Sequence, residues 1–467
     1  MKDENPNLSR ISKLFADRDS LPTEEGLRRR QQFAVTLVAG ADVAASYVLQ
    51  LSVVTAAKIA VRCFPGAVRV ALPAQVDGAS TLLWPDLQDR PSFGALLGQI
   101  VGTRNVVSDR DALPHGSELL FGDAPESAGA LRVTFDGWLA VTGSVSQVAR
   151  LPERPHCSLA GILAAALGVS ELFLSFADVS LEATRRTVAL SLWRPDLDHS
   201  HPDAIGPVVE WLPSQAWVLG LGHLGNAYLW ALATLPYQQT HAARIFLNDF
   251  DSVEVENIET GLLFTQADLK RTKVRTCAAW LEGRGFPTRL LERRFDSHFR
   301  CQHDEPRLAL CGFDSNPPRR ELASAEFAHM IESGLGGTSN NFDTLSLHVL
   351  PNPRCVHKLW PDLSEEEEKR REAYQNRMAQ ENEAYARSRL DECGRFEFAG
   401  KSIAVPFVGA TAGCFVVAEA LRLFHDGPAY TDIKLRLGTR EMHCLPRSCS
   451  YGPEDSSAHE STAALVL

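Results

Sequence analysis

A strand, a glycine-rich turn and a helix follow one another in the run WVLGLGHLGNAYLWALA (217–233), and this restricts the fold more than any other stretch. Gly220, Gly222 and Gly225 come directly after the apolar Trp217, Val218 and Leu219 and open a segment long enough for a helix. Glycine lets the backbone turn tightly and brings bare N–H groups and a helix N-terminus toward an anion. A second apolar strand, 244–247, then delivers Asp249, 24 residues beyond Gly225, where a carboxylate accepts hydrogen bonds from both hydroxyls of a ribose. The setting predicts a nucleotide-binding α/β unit. A glycine turn with a purely structural job is the bland alternative.

Nicotinamide, flavin and ATP enzymes share such a turn, so the residues after Asp249 decide between them. They are Asp251, Val253, Asn257 and Lys273, followed after the next apolar strand (308–311) by Asp314 in GFDSN. In these residues the sequence resembles the ThiF/MoeB superfamily, the fold of ubiquitin-activating enzymes. That family's pattern is an aspartate pair, a valine, an asparagine, a lysine and a metal-binding aspartate. The resemblance covers roughly 206–426. It implies that Asp249, beside Asp251, holds the ribose of ATP, that Asn257 and Lys273 contact phosphates, and that Asp314 binds Mg2+. Each role has a chemical reason: a lysine neutralises charge developing as pyrophosphate leaves, and a hard cation seeks a carboxylate alongside phosphate oxygens. A dinucleotide oxidoreductase is disfavoured, because Asn257, Lys273 and Asp314 would have no job in one.

One position departs from the family. Its asparagine begins Asn-x-x-Arg-Gln, whereas this chain reads Asn257, Ile258, Glu259, Thr260, Gly261. Threonine cannot replace a permanently charged planar fork. Arg271, Arg275 and Arg10 are the candidate substitutes, and without one the chain would be an adaptor that keeps the fold.

Residues 1–200 read as a faded copy of the same unit: a strand over 33–38, Gly40 where the first glycine belongs, a helix-like run over 44–60 and a strand near 68–72. No acidic strand end matches Asp249 there. The expected fold class is therefore α/β, with two Rossmann-like ThiF-type lobes: an inactive one over 1–200 and an active adenylation lobe over 206–435. A linker rich in Pro, Asp and His (193–213) joins them, a charged crossover region occupies 355–400, and 436–467 reads as a C-terminal tail.

Ubiquitin-activating enzymes capture the acyl adenylate on a cysteine as a thioester, and thiolates suit this because they are strong nucleophiles. Cys393 is the first choice. It ends a charged stretch, 364–392, that reads as an exposed helix capped by Ser364. Cys355 in PRCVHKLWP is second, while Cys277, Cys311 and Cys414 sit in apolar contexts and read as core. The plain alternative for Cys393 is an ordinary free thiol.

With 467 residues, 45% of them hydrophobic, two to three domains are expected. No apolar run reaches the roughly eighteen residues that cross a bilayer, and MKDENPNLSR has no signal-peptide core, so a cytoplasmic protein without a membrane partner is expected. Ten cysteines show neither a small-domain disulfide framework nor a Cys-x-x-Cys pair, so no zinc is expected. The net charge of -11 argues against nucleic acid. Taken with the resemblance, these readings imply an activating enzyme using ATP and Mg2+. It looks most like the activating component of bacterial ubiquitin-like conjugation systems, some of which act against phage. Its partners would be a ubiquitin-like protein and a conjugating enzyme, with a homodimer left open. The alternatives are a ThiF-type enzyme for a sulfur-carrier protein or small carboxylate without a thioester, and a non-catalytic adaptor.

Overall fold

The computed structural model describes residues 9–66, 68–87, 89–108 and 117–447. Its strands form two sheets on one plan. The first holds β1 (Val35–Ala39), β2 (Val68–Ala71), β3 (Val106–Val107), β4 (Ser117–Phe121), β5 (Leu131–Asp136), β6 (Leu139–Ser144) and β7 (Val188–Ser191), in the order β3-β2-β1-β4-β5-β6-β7. The second holds β8 (Gln215–Leu219), β9 (Arg244–Asn248), β10 (Thr288–Leu291), β11 (Leu308–Cys311), β12 (His329–Leu335), β13 (Thr344–Leu350), β14 (Tyr430–Arg436) and β15 (Glu441–Pro446), in the order β10-β9-β8-β11-β12-β13-β14-β15. Both sheets are parallel as far as β5 and β12 and antiparallel beyond, so the second repeats the first and adds one edge strand. In each, the strand order reverses beside the first strand, where an open α/β sheet offers a crevice beyond its strand ends.

The two crevices have diverged. Val38 pairs with Ala71 and Val218 with Leu247, so Pro73, two residues on, stands where Asp249 stands in the second lobe. Gly40 is followed by a short 3-10 turn, Ala41–Ala45, in place of a glycine loop. The Asp42 and Asp123 carboxylates bond each other's backbone N–H groups at 3.0 and 3.2 Å, and Arg150 closes over Asp42. These contacts tie the turn after β1 to the turn after β4.

The lobes meet through helices. Tyr47–Cys63 packs on Leu159–Phe176, which packs on Pro406–Phe424, which in turn packs on His223–Ala233. Side chains of both lobes, among them Ile59, Phe173, Tyr228 and Phe407, belong to one continuous apolar core. Burying each large side chain contributes about 1.5–3 kcal/mol. Its polar tips are satisfied across the seam: the Trp84 indole donates to Ala233 O at 2.9 Å and that of Trp230 to Thr55 Oγ1 at 3.0 Å. Two of these helices, Leu159–Phe176 and Pro406–Phe424, are long and apolar enough to cross a bilayer, which corrects the expectation that no such run exists. Both are 89% buried here, their Gly, Ala and Ser positions allowing close helix packing.

The stretch read as one exposed helix over 364–392 is broken in two: an exposed helix runs over Glu365–Glu381, and a second, Glu383–Arg387, buries Ala384 and Tyr385. Glu365–Glu381 starts at Ser364, whose hydroxyl accepts from Glu367 N while Glu367 reaches back to Ser364 N. The second lobe does not stop at 435: β15 pairs with β14, because Met442 and Cys444 pack toward the core. The rest of the proposed tail, from 448, lies outside the described residues.

Candidate functional site

A cavity of about 620 Å³ opens beyond the strand ends at the β8/β11 reversal. The glycine turn forms one wall, and each glycine has a separate reason. Gly220 has a φ of +78°, which a side chain would strain. At Gly225 a Cβ would lie 2.0 Å from Gly220 O, so the helix could not sit so close to the turn. Around Gly222 nothing lies within 4 Å of a Cβ position. Gly222, His223 and Leu224 line the cavity, so the gap lies at the start of the helix His223–Ala233, whose leading N–H groups have no intrahelical acceptor.

Asp249 stands at the end of β9 and ties the turn together. Its Oδ2 accepts from Leu221 N at 2.6 Å and its Oδ1 from Asp251 N at 2.8 Å. Burial raises its pKa, and Lys273 opposes the shift. Lys273 opens the helix Lys273–Glu282, and a short ladder anchors it: Val253 N to Arg271 O, Lys270 N to Val253 O and Lys273 N to Asp251 O. Its Nζ lies 3.1 Å from Asp251 and faces the cavity. The helix Val255–Thr260 begins with Glu254 N donating to Asn257 Oδ1, which leaves the Asn257 amide Nδ2 as the donor for the cavity that Asn257 lines. Asp314 is exposed at the cavity just after β11.

Thr260 is not at the cavity. It is fully buried and its hydroxyl donates to Glu256 O at 3.0 Å. Of the three candidate substitutes, Arg271 and Arg275 point away to Asp268 and Glu292. Arg10 lines the cavity. Its Nε donates to Ser402 O at 2.7 Å. Burial lowers its pKa, against the pull of Glu256, Glu259 and Asp314.

The cavity also holds groups that sequence reading passed over. Arg319, in the helix Asn316–Glu321, donates to Phe313 O at 2.7 Å and pairs with fully buried Glu332 at 2.6 Å; its only sequence signal was an arginine a turn beyond Asp314. Arg294 stacks on Phe250, 4.7 Å from the ring centre. His223 is half-buried, its Nε2 enclosed beside Gly409 and unpartnered, and desolvation, then Arg10, pulls its pKa down to about 3. It is neutral at any ordinary pH.

Neither cysteine nucleophile candidate lines this cavity. Cys393 is exposed in the first turn of Glu392–Gly400, and Cys355 is exposed just before Val356–Leu359. The segment after Cys393 returns to the site, where Ser402, Ile403 and Ala404 form part of the wall. Cys277, Cys311 and Cys414 are fully buried, as expected of core thiols. Among the described residues no cluster of three His, Cys, Asp or Glu groups could hold a metal.

Two lobes of one topology, the second with a glycine-turn cavity at its strand-order reversal, place the chain in the class of E1-like two-lobed α/β proteins. The family models for the BilD N-terminal domain and the BilD C-terminal domain match residues 34–192 and 212–427. The bacterial E1-like protein BilD of Collimonas sp. (strain OK412) is 33% identical over 461 residues, covering 96% of each chain. The chain belongs to this BilD family of bacterial E1-like proteins. Among solved structures, E. coli MccB matches at 15% identity and a TM-score of 0.36, over 51% of this chain and 63% of MccB. E. coli tRNA N6-threonylcarbamoyladenosine dehydratase, TcdA, matches at 15% identity and a TM-score of 0.30, over 45% of this chain and 85% of TcdA.

Proposed function

We propose that this chain uses MgATP to adenylate the C-terminal carboxylate of a small ubiquitin-like protein, takes the acyl group on Cys393 as a thioester, and passes it to a conjugating enzyme. The observation that carries the reading is the convergence of the glycine turn, Asp249, Asn257, Lys273, Asp314 and Arg10 on one cavity. In it, Asp249 accepts from the ribose hydroxyls. The N–H groups after Gly222, with Asn257, Lys273 and Arg10, hold the triphosphate. A carboxylate oxygen of the carrier attacks the α-phosphorus, the bond to the bridging oxygen breaks, and pyrophosphate leaves with its electron pair. Lys273 and Arg10 neutralise the charge that builds on it.

The residues fit a magnesium ion. Asp314 is an exposed carboxylate with no protein donor bound to it among the described residues, and Mg2+ is commonly held by one or two carboxylates plus phosphate oxygens. When bound, the ion would offset phosphate charge beside Asp314.

In the second step the Cys393 thiolate attacks the acyl carbonyl, a carbon–sulfur bond forms and AMP departs. Since Cys393 lies outside the cavity wall, this step requires Glu392–Gly400 to move, releasing Lys401 from Glu256 (2.6 Å). The same placement favours a second reading, an adenylating enzyme that forms no thioester.

ATP–pyrophosphate exchange with candidate carriers separates these. Exchange abolished in Asp314→Ala and kept in Cys393→Ala, with a thiol-labile carrier adduct formed by the wild type and absent from both variants, supports both steps. Exchange without any adduct leaves the second reading. Absence of exchange with a cognate carrier refutes adenylation.

A further inference from the structure

Resting on the nucleotide reading above, we infer that Glu259 is a positioning residue that holds Arg10 at the cavity, with Arg30 of the first lobe as its counter-charge. Glu259 occupies the family motif where this chain departs from it, one residue before Thr260, on the same short helix that presents Asn257 to the cavity.

Its carboxylate gathers three donors. Ser9 Oγ and Arg30 Nη1 reach Oε1 at 2.6 and 2.8 Å, and Ile11 N reaches Oε2 at 3.3 Å. Residues 9 and 11 are thus tied to one carboxylate, and Ile11 is fully buried. The residue between them has its backbone fixed, and Arg10 leaves toward the cavity, where Ser402 O holds its Nε. Arg30 is 1% exposed and donates its Nε to Cys63 O at 2.9 Å, so it is anchored in the first lobe.

The charges explain why both partners are needed. An unpaired Glu259 would attract Arg10 to itself. With Glu259 neutralised by Arg30 and Glu256 by Lys401, the positive charge of Arg10 remains for an anionic ligand. The lobe that lost its own nucleotide turn therefore contributes to the site kept by the other.

Two readouts on the full-length chain test this: amide hydrogen exchange over residues 9–19, and MgATP affinity by calorimetry. The variants are Arg10→Ala, Glu259→Ala, the double variant and Glu259→Gln, which folds more safely because it keeps the side chain's shape and an oxygen in place of Oε1 for Ser9 and Arg30, while losing the acceptor for Ile11 N. Expected are faster exchange in Glu259→Ala but not in Arg10→Ala, affinity reduced about ten- to a hundredfold in both, and a double variant no weaker than the worse single one. Glu259→Gln should fall between wild type and Glu259→Ala in both readouts. Unchanged exchange in Glu259→Ala, or multiplying affinity losses in the double variant, overturns the positioning role. So does faster exchange with wild-type affinity. A wild type that binds no MgATP overturns the nucleotide reading and this role together; a wild type that binds beside a Glu259→Ala that binds equally well overturns this role alone.

Discussion

Gly225 and Gly222 are three residues apart in one turn, and exchanging each for alanine should give opposite results. At Gly225 the new methyl would sit 2.0 Å from Gly220 O and 2.9 Å from Gly220 C. Both are backbone atoms of a tight turn, the first more than an ångström inside ordinary van der Waals contact and the second also inside it, and no side-chain rotation relieves them. The helix His223–Ala233 must then retreat from β8, against Pro406–Phe424 packed on its other side. Overpacking of this kind costs about 3 kcal/mol or more where the neighbour is rigid. At Gly222 the methyl meets nothing within 4 Å, so folding stability should change by less than about 1 kcal/mol, while the methyl shields the helix N–H groups that face the cavity. Losing a hydrogen bond to an anion there should weaken MgATP binding by about 1.5–3 kcal/mol. Urea unfolding followed by tryptophan fluorescence measures the first quantity and calorimetric titration the second. If Gly222→Ala destabilises the fold as much as Gly225→Ala, the separate reasons assigned to these glycines are wrong.

Other substitutions probe the seam and the buried groups. His223 is neutral in the fold with a pKa of about 3 against the ordinary value of 6.5. The unfolded chain therefore binds the extra proton first, and stability should fall by about 1.4 kcal/mol per pH unit as pH drops from 6.5 toward 3. His223→Gln should flatten that part of the curve, measured as the urea midpoint against pH. Arg62 donates to the carbonyls of Ile258, Gly261 and Phe264 at 3.2, 2.8 and 3.1 Å, and burial lowers its own pKa to about 10. Arg62→Met leaves these acceptors short of partners and should cost about 2–5 kcal/mol in urea unfolding. Iodoacetamide mapped by mass spectrometry should label Cys355 and Cys393 in the native protein. Cys63 and Cys157, whose pKa burial pushes up to about 12, should react only after unfolding.

What the sequence disclosed was local chemistry. The turn at Gly220 and the acid at Asp249 belong to one strand–helix–strand unit, and Lys273 opens a helix soon after it, so local chain geometry fixes much of their neighbourhood. The first lobe was legible for the same reason: its strand and helix pattern survived the loss of its glycines, with β1 at Val35–Ala39 close to the expected 33–38. Arg10 stood only as one of three arginines, because its neighbours Ser9 and Ile11 reach Glu259 across 250 and 248 residues and no periodicity encodes such contacts. Arg319 was hidden by its own neighbours, since an arginine after two prolines reads as surface until Glu332 is known to lie beneath it. The contacts among Asp42, Asp123 and Arg150 were invisible for a further reason: carboxylates near a turn look the same whether they await a ligand or already accept from backbone N–H groups.

The continuous apolar core between the lobes also governs concentration. Two separate subunits meeting over such a surface would part on dilution, and their pairing would follow mass action. Here the linker makes the encounter intramolecular, so the association is set by effective concentration and not by how much protein a cell contains. A single chain then carries the glycine-turn cavity of its second lobe assembled at any dilution. Nucleotide stoichiometry should therefore stay at one per chain, and severing the linker should restore a dissociation midpoint that the intact molecule does not have.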